Sequence, residues 1–246
     1  MRNRLDKLLF ERGLAPSRER AQALILAGRV LVNQQKVEKP GASVDDTALL
    51  RVLGEEQRYV SRGGFKLEAA LDRWHIDLTA RLCADIGTST GGFTDCMLQH
   101  GAAGVVAVDT GYGQIAEALR RDPRVSLRER TNARYLKPGE LGPGISFVSM
   151  DVSFISATLV LPAVLAAVRD SGESRVEAVI LVKPQFEAGR EHVGKGGIVH
   201  DPAAHQLAID RVRAAVHDLG AAGTEVAESP IQGAKGNREF LLYSRF

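Results

Sequence analysis

The sequence predicts an α/β fold with a mostly parallel sheet of seven strands, preceded by a small α+β module. Three observations support this fold class. From Ser61 onward, short apolar runs alternate with helical stretches, which is typical of a parallel sheet covered by helices on both faces. The first of these runs ends at Asp85 and leads into a glycine-rich loop. Residues 1–53 differ in charge and pattern from everything that follows.

The composition is that of an ordinary globular protein, with 44% apolar and 25% charged residues in a chain of 246. The longest apolar stretch, residues 155–168, is shorter than the roughly 18 residues that span a bilayer. Charges within residues 1–7 leave no room for the apolar core of a signal peptide. We therefore expect a cytoplasmic protein, monomeric when free and without a membrane partner. We also expect Cys83 and Cys96 to be buried thiols, with no metal site.

The elements of the N-terminal module follow from helical spacing and turn chemistry. Apolar residues at i, i+3 and i+4 predict a helix within residues 4–12. Ser17 predicts the N-cap of a second helix, which ends at Gly28. Two short strands are then expected at residues 29–33 and 49–53, with a turn at Gln34 and Gln35.

The positive charge of this module predicts a polyanionic partner. Residues 1–53 hold ten Lys/Arg against six Asp/Glu, a net charge of +4, whereas the remainder holds 22 against 24. Such an excess on a small module favours RNA binding. A random scatter of solvated charges is the alternative that charge alone leaves open. The candidate phosphate contacts are Arg4, Arg18 and Arg20.

The larger segment begins with a helix at residues 62–74. The strands are expected at 81–86, 105–109, 125–128, 145–150, 178–182, 223–228 and 240–244. Further helices are expected near 93–99, 114–121, 154–168 and 202–219. Because only a short turn region precedes the last strand, that strand is predicted to run antiparallel, at or near an edge of the sheet.

The loop after the first strand of this segment has the features of a nucleotide-like cofactor site. Gly87-x-x-x-Gly91-Gly92 follows the strand and leads into a helix, so a ligand can lie at the helix N-terminus. The spacing is neither the dinucleotide fingerprint nor a phosphate loop. Asp109 ends the next strand, where a carboxylate can bind both ribose hydroxyls, and a plain tight turn is the alternative at the two adjacent glycines. The predicted contacts with this cofactor are Asp85, Gly87, Thr88, Ser89, Gly91, Gly92, Phe93, Asp109, Asn132 and Asp151.

Four charged residues are candidates for catalysis at the carboxyl edge of the sheet: Lys66, Asp151, Lys183 and Glu239. Together with the glycine-rich loop, they favour methylation of a hydroxyl on RNA by S-adenosylmethionine. Methyl transfer to a ribose hydroxyl needs alignment and removal of a proton. A lysine can act as the base where burial and a nearby cation lower its pKa. We assign Lys183 as the base, Lys66 as a positioning and electrostatic partner, and the two carboxylates as orienting groups. Taken singly, each could be an ordinary surface charge.

Several residues near Lys183 are candidate RNA contacts. Phe186 could stack on a base of the RNA, although a core aromatic is an equal alternative. Arg190 and Lys195 lie in a glycine-rich loop that is predicted to touch phosphates, with a plain flexible loop as the alternative. Arg62, at the start of the first helix of the larger segment, is a further candidate.

Six segments resemble motifs of the TlyA family, whose members are named hemolysins in some cases and ribosomal RNA 2′-O-methyltransferases in others. They are Ser61–Leu67, Ser89–Thr94, Asp109–Gln114, Glu129–Arg134, Ser153–Ser156 and Val182–Glu187. The resemblance implies an S4-type (alpha-L) RNA-binding domain at residues 1–56, a linker at 57–60 and an FtsJ-like methyltransferase domain of Rossmann-like class I fold at 61–246. It also implies a Lys-Asp-Lys-Glu tetrad, formed here by Lys66, Asp151, Lys183 and Glu239.

We therefore expect S-adenosylmethionine-dependent 2′-O-methylation of cytidine in ribosomal RNA, with the RNA or a ribosomal subunit as partner. In the family that is resembled, longer members are associated with both subunits and shorter ones with the large subunit. This sequence ends seven residues after Glu239, so the large subunit is the expected substrate. The alternatives are a catalytically idle RNA-binding or ribosome-assembly protein and, less favoured, a hemolysin.

Overall fold

The computed structural model describes residues 2–53, 58–169, 175–233 and 236–246. The chain divides into two compact units, Met1–Arg58 and Tyr59–Phe246. Gln57, the first residue of the predicted linker, lies outside the described residues. Tyr59 is buried in the second unit, and the Val60 N–H donates to Asp95 of the same unit at 2.7 Å.

The described residues of the first unit form two helices and five short strands. Its elements are β1 (Arg2–Arg4), α1 (Leu5–Glu11), α2 (Arg18–Leu26), β2 (Val30–Val32), β3 (Gln35–Lys36), β4 (Ser43–Asp45) and β5 (Leu50–Val52). Strand β1 pairs with β4, and β2 lies between β3 and β5, all antiparallel. The predicted cap is confirmed, because the Ser17 hydroxyl accepts from the Arg20 N–H at 3.1 Å. The predicted turn shifts by one residue, since Asn33 and Gln34 have positive φ and Gln35 already belongs to β3.

The second unit contains the sheet. Its strands are β6 (Leu82–Ile86), β7 (Gly104–Val108), β8 (Val125–Arg128), β9 (Ile145–Met150), β10 (Glu177–Val182), β11 (Gly223–Glu228) and β12 (Phe240–Arg245). Its helices are α3 (Gly63–Trp74), α4 (Gly92–Gln99), α5 (Glu117–Arg120), α6 (Ala157–Val168), α7 (Pro184–Glu187) and α8 (Pro202–Asp218). Short 3₁₀ turns lie at Ala133–Tyr135 and Arg190–His192.

The seven strands follow the order β11-β12-β10-β9-β6-β7-β8. Only β12 runs antiparallel to both of its neighbours, and it lies one strand inside the edge. The mostly parallel sheet and the reversed last strand are therefore as predicted. Apolar clusters cover both faces, with α6 and α8 in one and α3 and α4 in the other. This arrangement gathers the loops after β6, β7, β8, β9 and β10 at one edge.

Helices α5 and α7 differ most from the sequence prediction. Helix α5 is confined to Glu117–Arg120, where residues 114–121 were expected. The Ala116 N–H donates to the Thr90 carbonyl at 3.1 Å. The segment before α5 is therefore hydrogen-bonded to the glycine-rich loop and does not extend the helix. Helix α7 was not predicted, because four residues are too few to show a period.

Candidate active site

Two cavities lie at the carboxyl edge of the sheet and share part of their lining. The larger has a volume of about 400 Å³ and is lined by the ends of β6, β7, β8 and β9, including Asp109, Asn132 and Asp151. The smaller has a volume of about 240 Å³ and is lined by residues 87–90 together with Lys66, Asp151 and Lys183. Gly87, Ser89, Asp151 and Ser153 line both.

The glycine-rich loop leaves no space for side chains at three positions. A Cβ at Gly87 would collide with the Asp151 carbonyl oxygen, and one at Gly91 would collide with Leu119. Both glycines also have positive φ, +87° and +96°, which other residues adopt only at a cost. A Cβ at Gly92 would collide with the Ser61 hydroxyl and lie 2.9 Å from the Gly64 nitrogen. The loop therefore brings bare backbone to the N-terminus of α4.

Asp85 does not line either cavity, which corrects its predicted role as a cofactor contact. Its carboxylate is fully buried behind the loop and accepts from Thr94 Oγ1 at 2.6 Å and from Ser149 Oγ at 3.1 Å. Burial raises the pKa of Asp85 to about 7, against the opposing effect of these two hydrogen bonds. Asp85 thus holds α4 and β9 together beneath the loop.

Asp109 is held by backbone amides at the rim of the larger cavity. Its Oδ2 accepts from the Ser89 N–H at 2.7 Å, and its Oδ1 accepts from the Gly111 N–H at 2.6 Å. A carboxylate offers about four lone-pair positions, so both oxygens keep capacity for further donors. The carboxylate is therefore fixed in place with acceptor sites directed at a cavity.

The remaining predicted cofactor residues occupy different depths. Thr88 is buried, and its hydroxyl donates to the Asp85 carbonyl at 3.1 Å. Asn132 is exposed at the rim, where its Oδ1 accepts from the Arg134 N–H at 3.1 Å. Phe93 borders the smaller cavity, but the residue is only 4% exposed and packs in the core, so at most its ring edge and backbone reach a ligand.

Lys183 is held by two partners from the loop after the neighbouring strand. Its Nζ lies 2.5 Å from Asp151 Oδ1 and donates to Ser153 Oγ at 2.7 Å. The lysine side chain is 10% exposed and the aspartate side chain 24%, so the lysine lies deeper than its carboxylate partner. The amine is thus oriented at the base of a small polar cavity.

Lys66 forms a separate pair with Glu239. Its Nζ donates to Glu239 Oε2 at 2.5 Å, and both side chains are buried. Lys66 projects from α3, whereas Glu239 directly precedes β12. Lys66 also lines the smaller cavity, as do Asp151 and Lys183. Three members of the predicted tetrad therefore meet there, and the fourth, Glu239, is bonded to Lys66.

An aromatic pair lies beside Lys183. Phe154 is 92% exposed and has a φ of +65°, which is unusual for a bulky residue. Its ring centroid is 5.5 Å from that of Phe186, which is half-buried. Phe154 therefore presents the open aromatic surface that the sequence analysis assigned to Phe186.

Glu187 joins the two loops that carry Asp151 and Lys183. Its buried carboxylate accepts from the Ser156 hydroxyl at 2.5 Å and from the Ala157 N–H at 2.7 Å, at the N-terminus of α6. Burial raises the pKa of Glu187. Sequence analysis missed Ser153, Phe154 and Glu187 as site residues, although all three fall within segments noted there as motifs.

The candidate phosphate contacts of the first unit are partly neutralised. The buried carboxylate of Asp6 accepts from Arg4 through Nε and Nη2, both at 3.0 Å, and from Arg18 Nε at 3.2 Å. Arg4 holds the pKa of Asp6 well below its usual range, with help from Gln22 and Arg18. The prediction that Arg4 and Arg18 contact phosphates therefore concerns two arginines that already share one buried carboxylate. Their side chains remain about half exposed.

The other candidate RNA contacts lie on the surface. Arg62 is exposed and donates to the Gln232 carbonyl at 3.3 Å, beside a cavity that Lys66 also lines. Arg190 and Lys195 are exposed in the loop before α8. That loop is anchored at its far end, where buried Asn237 donates to the Gly197 carbonyl at 2.8 Å and accepts from the Val199 N–H at 3.0 Å. Arg20 lies in α2.

Further features of the described residues bear on site chemistry. Cys83 and Cys96 are free and buried, as predicted, and burial raises the pKa of Cys83 to about 12. Within the described ranges, no three His, Cys, Asp or Glu side chains are grouped so as to hold a metal ion. No described helix is long and apolar enough to cross a membrane.

Comparison with known proteins identifies both units. Residues 59–246 match the FtsJ-like methyltransferase family model, and residues 3–48 match the S4 domain model. YqxC of Bacillus subtilis is 48% identical over 243 residues, covering 98% of this chain and 85% of that protein. The 16S/23S rRNA (cytidine-2′-O)-methyltransferase TlyA of Mycobacterium tuberculosis is 46% identical over 246 residues, covering 99% and 90%. A solved structure from Streptococcus thermophilus aligns with a TM-score of 0.75 at 44% identity, covering 99% of this chain and 88% of that one.

Proposed function

Because this chain belongs to the FtsJ-like methyltransferase family, and within it to the TlyA proteins, we propose that it methylates the 2′-hydroxyl of a cytidine in ribosomal RNA with S-adenosyl-L-methionine. The observation that carries this proposal is the meeting of Lys66, Asp151 and Lys183 in one cavity that borders the glycine-rich loop. A charged pair at the end of a ligand-sized pocket suits transfer to a weakly acidic hydroxyl.

The residues of the larger cavity fit the proposed cofactor. Gly87, Gly91 and Gly92 bring backbone close to a ligand at the N-terminus of α4, where further side-chain atoms would collide. Asp109 would accept hydrogen bonds from two ribose hydroxyls, and Asn132 would border the adenine. When bound, S-adenosylmethionine supplies an electrophilic methyl group on a positively charged sulfur.

Lys183 is the proposed general base. In its neutral form, the Nζ would take the proton of the 2′-hydroxyl as the 2′-oxygen bonds to the methyl carbon, while the methyl–sulfur bond breaks and its electron pair stays on the sulfur of the leaving thioether. Asp151 and Ser153 hold the amine at 2.5 and 2.7 Å, which limits the orientations from which it can accept the proton. After transfer the resulting ammonium lies against the Asp151 carboxylate, which stabilises the charge that the reaction creates.

Lys66 is proposed to orient the ribose and stabilise the developing negative charge on the 2′-oxygen. Glu239 fixes the Lys66 ammonium at 2.5 Å and offsets the cost of burying it. Lys66 therefore serves as a fixed donor, and Lys183 as the group that exchanges a proton.

RNA binding is proposed to involve both units. In the first unit, the half-exposed guanidinium groups of Arg4 and Arg18, together with Arg20, would contact phosphates. In the second unit, Phe154 offers an open ring beside Lys183 for the base of the methylated nucleotide, with Phe186 packed behind it. Arg62, Arg190 and Lys195 are proposed as further phosphate contacts.

The preference for the large subunit stays a prediction. The relative from Mycobacterium tuberculosis is named for both 16S and 23S RNA, and it is 46% identical over nearly the whole chain. We therefore propose ribosomal RNA as the substrate class and treat the choice of subunit as the variable to be measured.

The proposal is tested by transfer of radiolabelled methyl groups to separated ribosomal subunits from an unmodified strain. Wild type should label one or both subunits at the 2′-oxygen of a cytidine, identified by mass spectrometry of the digested RNA. Lys183→Ala should lose most of this activity, whereas Lys137→Ala, a change at an exposed lysine outside both cavities, should retain it. Subunits that bind the wild type but remain unlabelled would instead indicate an RNA-binding protein without catalytic activity.

A further inference from the structure

The exposed aromatic residues of the second unit are concentrated at one edge of its sheet. Among the described residues of this unit, three aromatic side chains are largely exposed: Tyr112 (66%), Tyr135 (71%) and Phe154 (92%). They follow β7, β8 and β9, and thus lie on three loops that line the larger cavity. Exposing an aromatic ring to water is unfavourable, because the ring gives up the packing it would have in the core. Several exposed rings around one ligand cavity therefore indicate a binding role.

The first tyrosine is stacked on an arginine. The Arg130 guanidinium carbon lies 4.3 Å from the centroid of the Tyr112 ring, well within cation–π range. The stack is built on two loops that are bonded together: the Arg130 N–H donates to the Gly111 carbonyl at 3.0 Å, and the Gly113 N–H donates to Glu129 Oε1 at 2.6 Å. Arg130 has a φ of +54°, so this pairing is held in a conformation that arginine rarely adopts.

The second tyrosine also lies near an arginine, at the outer limit of cation–π range. The Arg134 guanidinium carbon lies 5.9 Å from the centroid of the Tyr135 ring. Both residues belong to the 3₁₀ turn at Ala133–Tyr135, which Asn132 caps by accepting the Arg134 N–H. The pair therefore sits on a short, capped turn directly beside the rim residue Asn132.

Neither arginine makes a direct ion pair among the described residues, although the Glu129 carboxylate attracts Arg130 at longer range. Across the described residues, Arg130 and Arg134 have no acidic partner within ion-pair distance, whereas nearby Glu129 is already bound by Arg120 at 2.7 Å. Each pair thus places a positive guanidinium group beside an exposed tyrosine ring. This is the combination that binds unpaired nucleotides, since bases stack on the ring and phosphates contact the guanidinium.

We propose that the two tyrosine–arginine pairs, Tyr112 with Arg130 and Tyr135 with Arg134, form a binding surface for unpaired RNA nucleotides that flank the methylated one. The inference rests on the proposed function and specifies the form of its substrate as a single-stranded segment. A base-paired helix would not use this surface, because its bases are stacked on one another and leave no face for the tyrosine rings. The arginines complement the charge of an RNA strand and not that of an apolar or basic partner.

The test measures binding of the full chain to a fluorescently labelled single-stranded oligocytidine 12-mer and to a 12-base-pair RNA duplex. The Tyr112→Ala/Tyr135→Ala double variant should bind the single strand at least about tenfold more weakly, because two stacked bases lose their platform. Its affinity for the duplex should stay within about twofold of wild type. The Tyr112→Phe/Tyr135→Phe variant keeps both rings and should bind both RNAs like wild type.

The arginines are tested through the salt dependence of the same binding. Arg130→Gln/Arg134→Gln should reduce the slope of log K against log salt by roughly 1.4 for the single strand, as two phosphate contacts are lost. Arg213→Gln is the matched control, since this half-exposed arginine on α8 pairs with Asp210 and lies outside the cavity lining. Calorimetric affinity for S-adenosylmethionine, measured for each variant, should stay within about twofold of wild type and shows that the cofactor loop is intact.

The outcomes separate this inference from the proposed function. Unchanged single-strand binding by the double tyrosine variant, in a protein that still methylates ribosomal RNA, would overturn the inference and leave the function standing. An equal loss of binding to the single strand and the duplex would also overturn it. If the double tyrosine variant loses single-strand binding selectively but the wild-type protein methylates no ribosomal RNA, the binding surface is supported and the proposed function is rejected.

Discussion

Lys183 Nζ lies 2.5 Å from Asp151 Oδ1, although 32 positions separate the two residues in the chain. The contact arises because β9 and β10 are parallel neighbours, so the residues that follow them emerge at the same edge of the sheet. Ser153 adds a hydrogen bond of 2.7 Å to the same amine. The proposed base is therefore held by a single loop from the adjacent strand.

Ser153 is expected to act as a positioning residue for Lys183. Ser153→Ala removes one of the two groups that orient the amine, so kcat should fall about tenfold while KM for RNA stays near wild type. Single-turnover methyl transfer measures the effect. Ser126→Ala, at an exposed position in β8, is the control and should leave kcat unchanged. An equal loss in both variants, or none in Ser153→Ala, would contradict the assignment.

The Lys66–Glu239 pair is expected to contribute to stability as well as to catalysis. Glu239→Ala leaves a buried ammonium without its partner, which should lower the free energy of unfolding by about 3–5 kcal/mol. The exposed pair between Arg238 and Glu228 provides the comparison, since Glu228→Ala should cost no more than about 1 kcal/mol. Urea denaturation measures both. A similar loss of unfolding free energy in the two variants would contradict the prediction that the buried pair contributes more to stability than the exposed one.

The glycine-rich loop is expected to require Gly92 for cofactor binding. Gly92→Ala places a methyl group against the Ser61 hydroxyl and 2.9 Å from the Gly64 nitrogen, so the N-terminus of α4 must shift. Affinity for S-adenosylmethionine should fall at least about tenfold in a calorimetric titration. Gly223→Ala is the matched control, because no atom lies within 4 Å of its added methyl group. Wild-type affinity in Gly92→Ala would place the cofactor elsewhere.

Asp85 is expected to make stability depend on pH. Its pKa is about 7 in the folded protein, because of burial, and near 4 in the unfolded chain. The folded state therefore holds a proton between these values that the unfolded state releases, and stability falls as pH rises from about 4 to 7. Relative to Asp85→Asn, the wild type should lose on the order of 4 kcal/mol at most across this range. Urea unfolding of both proteins at pH 5, 6, 7 and 8 checks this, and a difference that does not vary with pH would contradict it.

Asp6 is expected to link the two candidate phosphate-binding arginines to the stability of the first unit. Arg4→Gln/Arg18→Gln leaves the Asp6 carboxylate buried with fewer donors, which should destabilise α1 and α2 by about 1–3 kcal/mol. Hydrogen exchange resolved by mass spectrometry would show faster exchange in these helices alone. Arg51→Gln, at an exposed position in β5, should leave exchange unchanged. Weaker RNA binding by the double variant must therefore be judged against its stability.

The sequence by itself determined the secondary structure and the chemistry-bearing positions. Alternation of apolar runs and helical stretches predicted all seven strands of the large sheet, because burial between helix layers requires apolar residues along each strand. The glycines at 87, 91 and 92 were identified because few other residue types allow the backbone to approach a ligand so closely. Short elements such as α7 were missed, since four residues carry no period.

Only the tertiary structure decided how these residues are paired and how deeply they lie. It paired Lys66 with Glu239 and Lys183 with Asp151, and it moved Asp85 from the predicted ligand surface to a buried position. It also left Phe154 exposed and Phe186 half-buried, although both phenylalanines lie close in the chain to a predicted site residue. Local sequence fixes which side chains a strand end presents, but the distance and solvent exposure of each group depend on neighbours that are remote in the chain and are set by the packing of the sheet.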